Sequence, residues 1–192
     1  DSFVVETHVH FPTDISLLWD AIRKVVTLTA KLCGEQELTL WRQSQFNLRQ
    51  VKKDYRKVQK ARHSSSKDER KKAAQHQVVI QAYEAYLQRT VSLINKAEYT
   101  LAIHTFNSQI EALQVIEIEG FIAHAHRQVE QITQRVIYEE KIPHHEKVFS
   151  IFEPHTDIII KDRRDEYYGH KVCLTGGTSN FISDCLIVDG NP

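Results

Sequence analysis

Tyr167-Tyr168-Gly169-His170-Lys171-Val172-Cys173-Leu174-Thr175 and Phe181-Ile182-Ser183-Asp184-Cys185-Leu186-Ile187-Val188-Asp189 are the stretch on which the fold turns. Two runs rich in β-branched and aromatic residues flank Gly176-Gly177-Thr178-Ser179-Asn180, a segment made of turn-forming residues. That pattern predicts an antiparallel hairpin. At the other end, Asp1-Ser2-Phe3-Val4-Val5-Glu6-Thr7 sets an acidic residue before a β-branched run and reads as a further strand. Between these ends the chemistry changes to helical periodicity. The expectation is one small sheet whose strands are separated in sequence by a long helical insertion.

Four helices are predicted between the ends. Thr13 or Asp14 caps the first, whose apolar face carries Leu18, Ile22, Val25, Thr29 and Leu32, with Gly34 as its stop. The second carries Trp41, Ser44, Leu48, Val51, Tyr55, Val58 and Arg62, close to a heptad seam. Ser66-Lys67-Asp68-Glu69 fits a capping box at the start of the third, which carries Val79, Ala82, Tyr86, Thr90, Leu93 and Ala97. The fourth carries Ile110, Leu113, Ile116, Phe121, Ala125, Val129, Ile132 and Val136 and ends before Pro143. Sequential amphipathic helices imply an antiparallel bundle.

Composition narrows the function classes. The 192 residues are 41% hydrophobic and 26% charged with zero formal net charge, ordinary values for a globular protein. Cys33, Cys173 and Cys185 lack the spacing of a disulfide framework or a zinc site, which fits a reducing cytoplasm. A turn centred near Thr178 puts Cys173 and Cys185 on one face of the hairpin, as two small buried thiols. No apolar run reaches the roughly 20 residues that span a bilayer, and no signal peptide is recognisable. The chain contains no methionine and opens within a strand-like run, so a piece of a longer reading frame is expected.

The zero net charge hides an asymmetry. Residues 49–72 hold eleven lysines and arginines against Asp54, Asp68 and Glu69, a local excess of eight. Arg49, Lys53, Arg56, Lys57 and Lys60 recur on one helical face, with Lys52 beside them, away from the seam of Leu48, Val51, Tyr55 and Val58. Such a row neutralises several phosphates in a salt-sensitive, sequence-independent way. A solvated bundle tip is the competing explanation.

Eleven histidines invite a metal reading. Glu6-Thr7-His8-Val9-His10-Phe11 resembles the strand-borne HxH of amidohydrolases, in which alternate imidazoles on one strand meet a metal. The repeated βα units which that family requires do not follow. His124 and His126 are two apart on a helix and point to different faces. His144-His145-Glu146 follows a proline and reads as surface.

The ends, taken in order, resemble the DDE-class transposases of bacterial insertion sequences, in an ISNCY-like branch. The resemblance rests on the run from Asp1 to Asp20, on Glu146-Lys147-Val148-Phe149-Ser150-Ile151-Phe152-Glu153-Pro154-His155-Thr156, on Lys161-Asp162-Arg163-Arg164-Asp165, on Tyr168 to Gly177, and on Asp189-Gly190-Asn191-Pro192. It implies an α+β fold: an incomplete RNase H-like antiparallel sheet interrupted by a large helical insertion. Its first strand lies in residues 1–13, the insertion in 14–142, and the second and third strands in 143–192. Asp1 matches the first member of an Asp-Asp-Glu triad, whose other two members would lie beyond Pro192. Such a triad holds two Mg²⁺ or Mn²⁺ ions, hard cations that prefer oxygen ligands. Asp1 would bridge them, and Asp184 and Asp189 fall outside the triad pattern.

The activity implied is metal-dependent DNA cleavage and strand transfer, with this chain alone inactive. The implied partners are transposon-end and target duplex DNA and further copies of the same protein, with no membrane, in a nucleoid-associated cytoplasmic setting. The basic row on the second helix, with Lys161, Arg163, Arg164 and Lys171, would grip the DNA. A catalytically inactive DNA-binding or assembly module from a truncated transposase is the alternative, and a purely structural bundle a third.

Overall fold

A computed structural model of the chain describes residues 2–6, 13–63, 69–103, 105, 108–143, 146–153, 156–161, 165–176 and 181–188. Those residues form an α+β arrangement of four α-helices and a four-stranded antiparallel sheet. The elements are β1 (Ser2–Glu6), α1 (Asp14–Glu35), α2 (Ser44–His63), α3 (Glu69–Ile103), α4 (Gln109–Ile132), β2 (Asp157–Lys161), β3 (Asp165–Gly176) and β4 (Ile182–Val188). A π-helical turn, Thr133–Ile137, extends α4. The chain divides into two compact units, residues 14–146 and residues 1–13 with 147–192.

The helical unit is two antiparallel pairs. Gln36 donates to Glu111 at 2.6 Å, Gln114 donates to Glu35 at 3.3 Å, and Arg135 pairs with Asp14 at 2.8 Å, so α4 runs back along α1. In the other pair, Gln75 donates to the Ala61 carbonyl at 2.8 Å, and the Trp41 indole donates to Thr100 at 3.0 Å. The core follows the helical period: Leu18, Ile22, Val25, Thr29 and Leu32 of α1 are buried, as are Val51 and Val58 of α2 and Tyr86, Thr90, Leu93 and Ala97 of α3. Tyr86 is fully enclosed and still satisfies its hydroxyl by donating to the Ile15 carbonyl at 3.1 Å. Burial pushes its phenol well above the ordinary range.

Three helix features depart from the periodicity read in the sequence. Gly34 does not stop α1; the left-handed residue is Glu37, with φ 57°. Leu38 N–H donates to the Cys33 carbonyl at 2.8 Å and Glu37 N–H to Gly34 at 3.2 Å, the paired bonds of a Schellman cap. A side chain at such a φ costs energy that glycine avoids. Glu37→Gly should therefore raise the unfolding free energy by about 0.5–1 kcal/mol in urea denaturation. Secondly, the capping box expected at Ser66 lies outside the described residues, while one forms at the start of α4. There Ser108 Oγ accepts from Glu111 N at 3.1 Å, and Glu111 accepts from Ser108 N at 3.0 Å.

The third departure is the face of α4. Ile110, Leu113 and Ile116 are exposed; Ala125 and Ile132 of the expected face are buried, together with Ile118 and Ile122, which were not on it. The helix is apolar on two faces, and packing selects only the one toward α1.

In the sheet unit, β3 is the long central strand. Gly169 stands opposite both Glu6 of β1 and Asp157 of β2, and Cys173 opposite both Ser2 of β1 and Leu186 of β4. Thus β1 takes one edge of β3, while β2 and β4 follow one another along the other. Two strands are expected in residues 143–192; the described residues there form three. The extra one is β2, whose Ile158-Ile159-Ile160 run carried an overlooked strand signal.

Cys173 and Cys185 also correct an expectation. The register pairs Cys173 with Leu186 and Leu174 with Cys185, so the two thiols lie on opposite faces. The cause is an irregularity between Thr175 and Gly176: Gly176 pairs with Ile182 and Thr175 with Asp184, leaving Ser183 as an extra residue. One added residue inverts the alternation. Cys185 is exposed rather than buried, and Cys173 is intermediate.

Candidate nucleic-acid interface

Helix α2 separates its chemistry by angle. Val51, Asp54 and Val58 form its buried side. Arg49, Lys52, Lys53, Arg56, Lys57 and Lys60 are all exposed, and together they line one shallow hollow of about 420 Å³. At 1.5 Å per residue, the row from Arg49 to Lys60 runs roughly 16 Å along the helix. The exposed Phe46 continues it toward the helix N-terminus.

Two of these six cations are engaged within the protein. Lys57 donates to Asp54 at 3.0 Å, and Lys52 lies 5.8 Å from the centre of the Trp19 ring, which itself stacks on Tyr55 at 6.2 Å. Arg49, Lys53, Arg56 and Lys60 make no ion pair or side-chain hydrogen bond with any described residue. Four unpaired cations on one helical face repel one another, and an anion laid along the row relieves that repulsion.

Asp54 anchors the row from beneath. Its side chain is only 4% exposed and accepts from Arg89 of α3 at 2.5 Å as well as from Lys57. Burial opposes its ionisation, but the hydrogen bonds and charges of Arg89 and Lys57 outweigh that cost and hold the carboxyl below the usual carboxylate range. A depressed folded-state value means that the stabilisation is complete above the unfolded value and is lost as pH falls through the folded one. Asp54→Asn should cost about 1–2 kcal/mol near neutral pH, the difference from the parent shrinking in acid. Urea titrations across pH read this directly; a pH-independent difference would discard the pair as the cause. The sequence offered a signal for this anchor, since Asp54 sits in step with Val51 and Val58, but it does not name Arg89.

Neither protein-family models, curated proteins nor solved structures yield a match to this chain.

The remaining residues of interest are scattered or lie outside the described set. Asp1, Arg163 and Arg164 lie outside it, as do His8, His10, His144, His145 and Asp189, and of Lys161 only the backbone, paired with Asp165, is described. Lys171 sits mid-strand in β3, opposite Val4 and Val188. His126 contacts Glu98 at 2.7 Å, while burial and then the Arg127 charge lower the pKa of His124. Among the described residues no three His, Cys, Asp or Glu side chains converge as a metal site. Among them, too, no helix is long and apolar enough to cross a membrane.

Proposed function

We propose that this chain is part of a DDE-type transposase and that its helical unit holds duplex DNA through the outer face of α2. The observation that carries the DNA-holding role is the row of Arg49, Lys53, Arg56 and Lys60, exposed and without an ion pair or side-chain hydrogen bond to any described residue. Structural salt bridges would consume such charges; these are left for an external polyanion. A row of cations neutralises successive phosphates through charge, and the binding it gives in this reading is sequence-independent.

The transposase assignment draws on the resemblance of the chain ends. The antiparallel pairing of β3 with β1 on one edge and with β4 on the other supports the RNase H-like part of that reading. The cofactor it calls for is a pair of Mg²⁺ or Mn²⁺ ions on three carboxylates, of which this chain contributes Asp1 alone; the chain by itself is then a DNA-holding part and not a nuclease. A nucleoid-associated cytoplasmic setting follows from the same reading.

Anisotropy of a labelled duplex titrated with the chain across a salt series tests the DNA-holding role. The expected outcome is an association constant that falls linearly with salt on logarithmic axes. Absence of binding at low salt would rule the role out.

A further inference from the structure

The second apolar face of α4 has no use in that reading. Leu113, Ile116, Gly120 and Ala123 are all exposed, and their spacings of three, four and three are those of a heptad seam. Leu113 is 67% and Ile116 63% exposed, although both belong to a well-capped helix. A methyl group added at Gly120 would meet no heavy atom within 4 Å, so the seam faces open space. Contiguous apolar surface of this kind marks an interaction site.

We propose that this seam pairs with the same seam of a second copy, in antiparallel orientation about a two-fold axis between Ile116 and Gly120. The order of side-chain sizes selects the occupant and the direction. Antiparallel pairing sets Leu113 against Ala123 of the second copy and Ile116 against Gly120, each large residue against a small one. Parallel pairing would put large on large and small on small, leaving a clash at one end and a gap at the other.

Polar neighbours of the seam are compatible with the same register. Beside the seam, Glu117 falls opposite His124 of the second copy, and the symmetry gives this acceptor–imidazole contact twice. At the seam's end Gln109 meets Arg127 of the second copy. Glu119 approaches its own symmetry mate on the other flank and sets one repulsion against these contacts. Ile110, 72% exposed on the flank of Glu117, adds apolar cover. A symmetric dimer of this kind is isologous and closed, so association stops at two.

Sedimentation velocity of the full chain over a concentration series tests the proposal. The expected result is a monomer–dimer equilibrium. Leu113→Asp with Ile116→Asp should weaken it by about a hundredfold or more. Gly120→Glu is the second variant: it favours the helix in the monomer but places two carboxylates at the centre of the dimer, so a folded monomer is expected. Glu117→Lys should also weaken the dimer, and adding His124→Glu should restore it. The two positions are about 10 Å apart along one helix, so restoration can arise only between copies in the antiparallel register. A wild-type chain monomeric at every concentration, or a dimer that survives Gly120→Glu, would overturn the interface. Failure of the charge exchange to restore association would overturn the antiparallel register.

Discussion

Arg49, Lys53, Arg56 and Lys60 replaced together by glutamine should lower affinity for duplex DNA on the order of 10²–10³-fold at physiological salt. The salt dependence is the sharper readout. Each phosphate neutralised contributes about 0.9 to the slope of log K against log[salt], so removing four contacts should flatten it by roughly 3 to 4. Glutamine keeps the length, helix propensity and hydrogen-bonding capacity of the row, so the loss reports charge alone. The fold should be unaffected, because all four residues are exposed and none supports a neighbour. Lys141→Gln, an exposed cation elsewhere in the helical unit, is the control and should leave the slope unchanged. A quadruple variant with the parental slope would remove α2 from the DNA interface even if the chain binds DNA.

Gly169→Ala should be the most damaging single methyl group in the sheet unit. Gly169 is buried where β1 and β2 flank β3, and a Cβ there would overlap the backbone carbonyl of Val5. The obstruction is main chain, not the far end of a flexible side chain, so β1 has to move off β3 to accommodate it. A glycine inside a strand marks such a close backbone approach. The expected cost is about 3 kcal/mol or more, read as loss of amide protection across β1 and the first half of β3 in hydrogen exchange. Gly120→Ala, where nothing lies within reach of an added Cβ, should instead be neutral or slightly stabilising through helix propensity. Equal protection in Gly169→Ala and the parent would mean that β1 is not held against β3 in this register.

Much of this was legible in the residues. The period of α1 named buried positions throughout, and that of α3 did so from Tyr86 to Ala97, because on these stretches the apolar residues fall on the side turned to the bundle. The outer face of α2 was legible for the complementary reason: six cations at helical spacing cannot be buried, so they must point away from Val51 and Val58. Helix α4 misled because it is apolar on two faces, and periodicity cannot say which of two stripes meets α1. Ile110, Leu113 and Ile116 lost that choice to Ile118 and Ile122.

Local pattern therefore determined what depends on one element at a time: the α+β content, the helical stretch between strands at the two ends, and the charged face of α2. Tertiary structure decided what depends on two elements meeting. It brought Arg89 onto Asp54, inverted the faces of Cys173 and Cys185 through one extra residue in β4, and set Gly169 against the Val5 backbone. The physical reason is that side-chain direction along a helix or strand follows from backbone geometry alone. Register and partner choice follow instead from the packing of surfaces far apart in sequence.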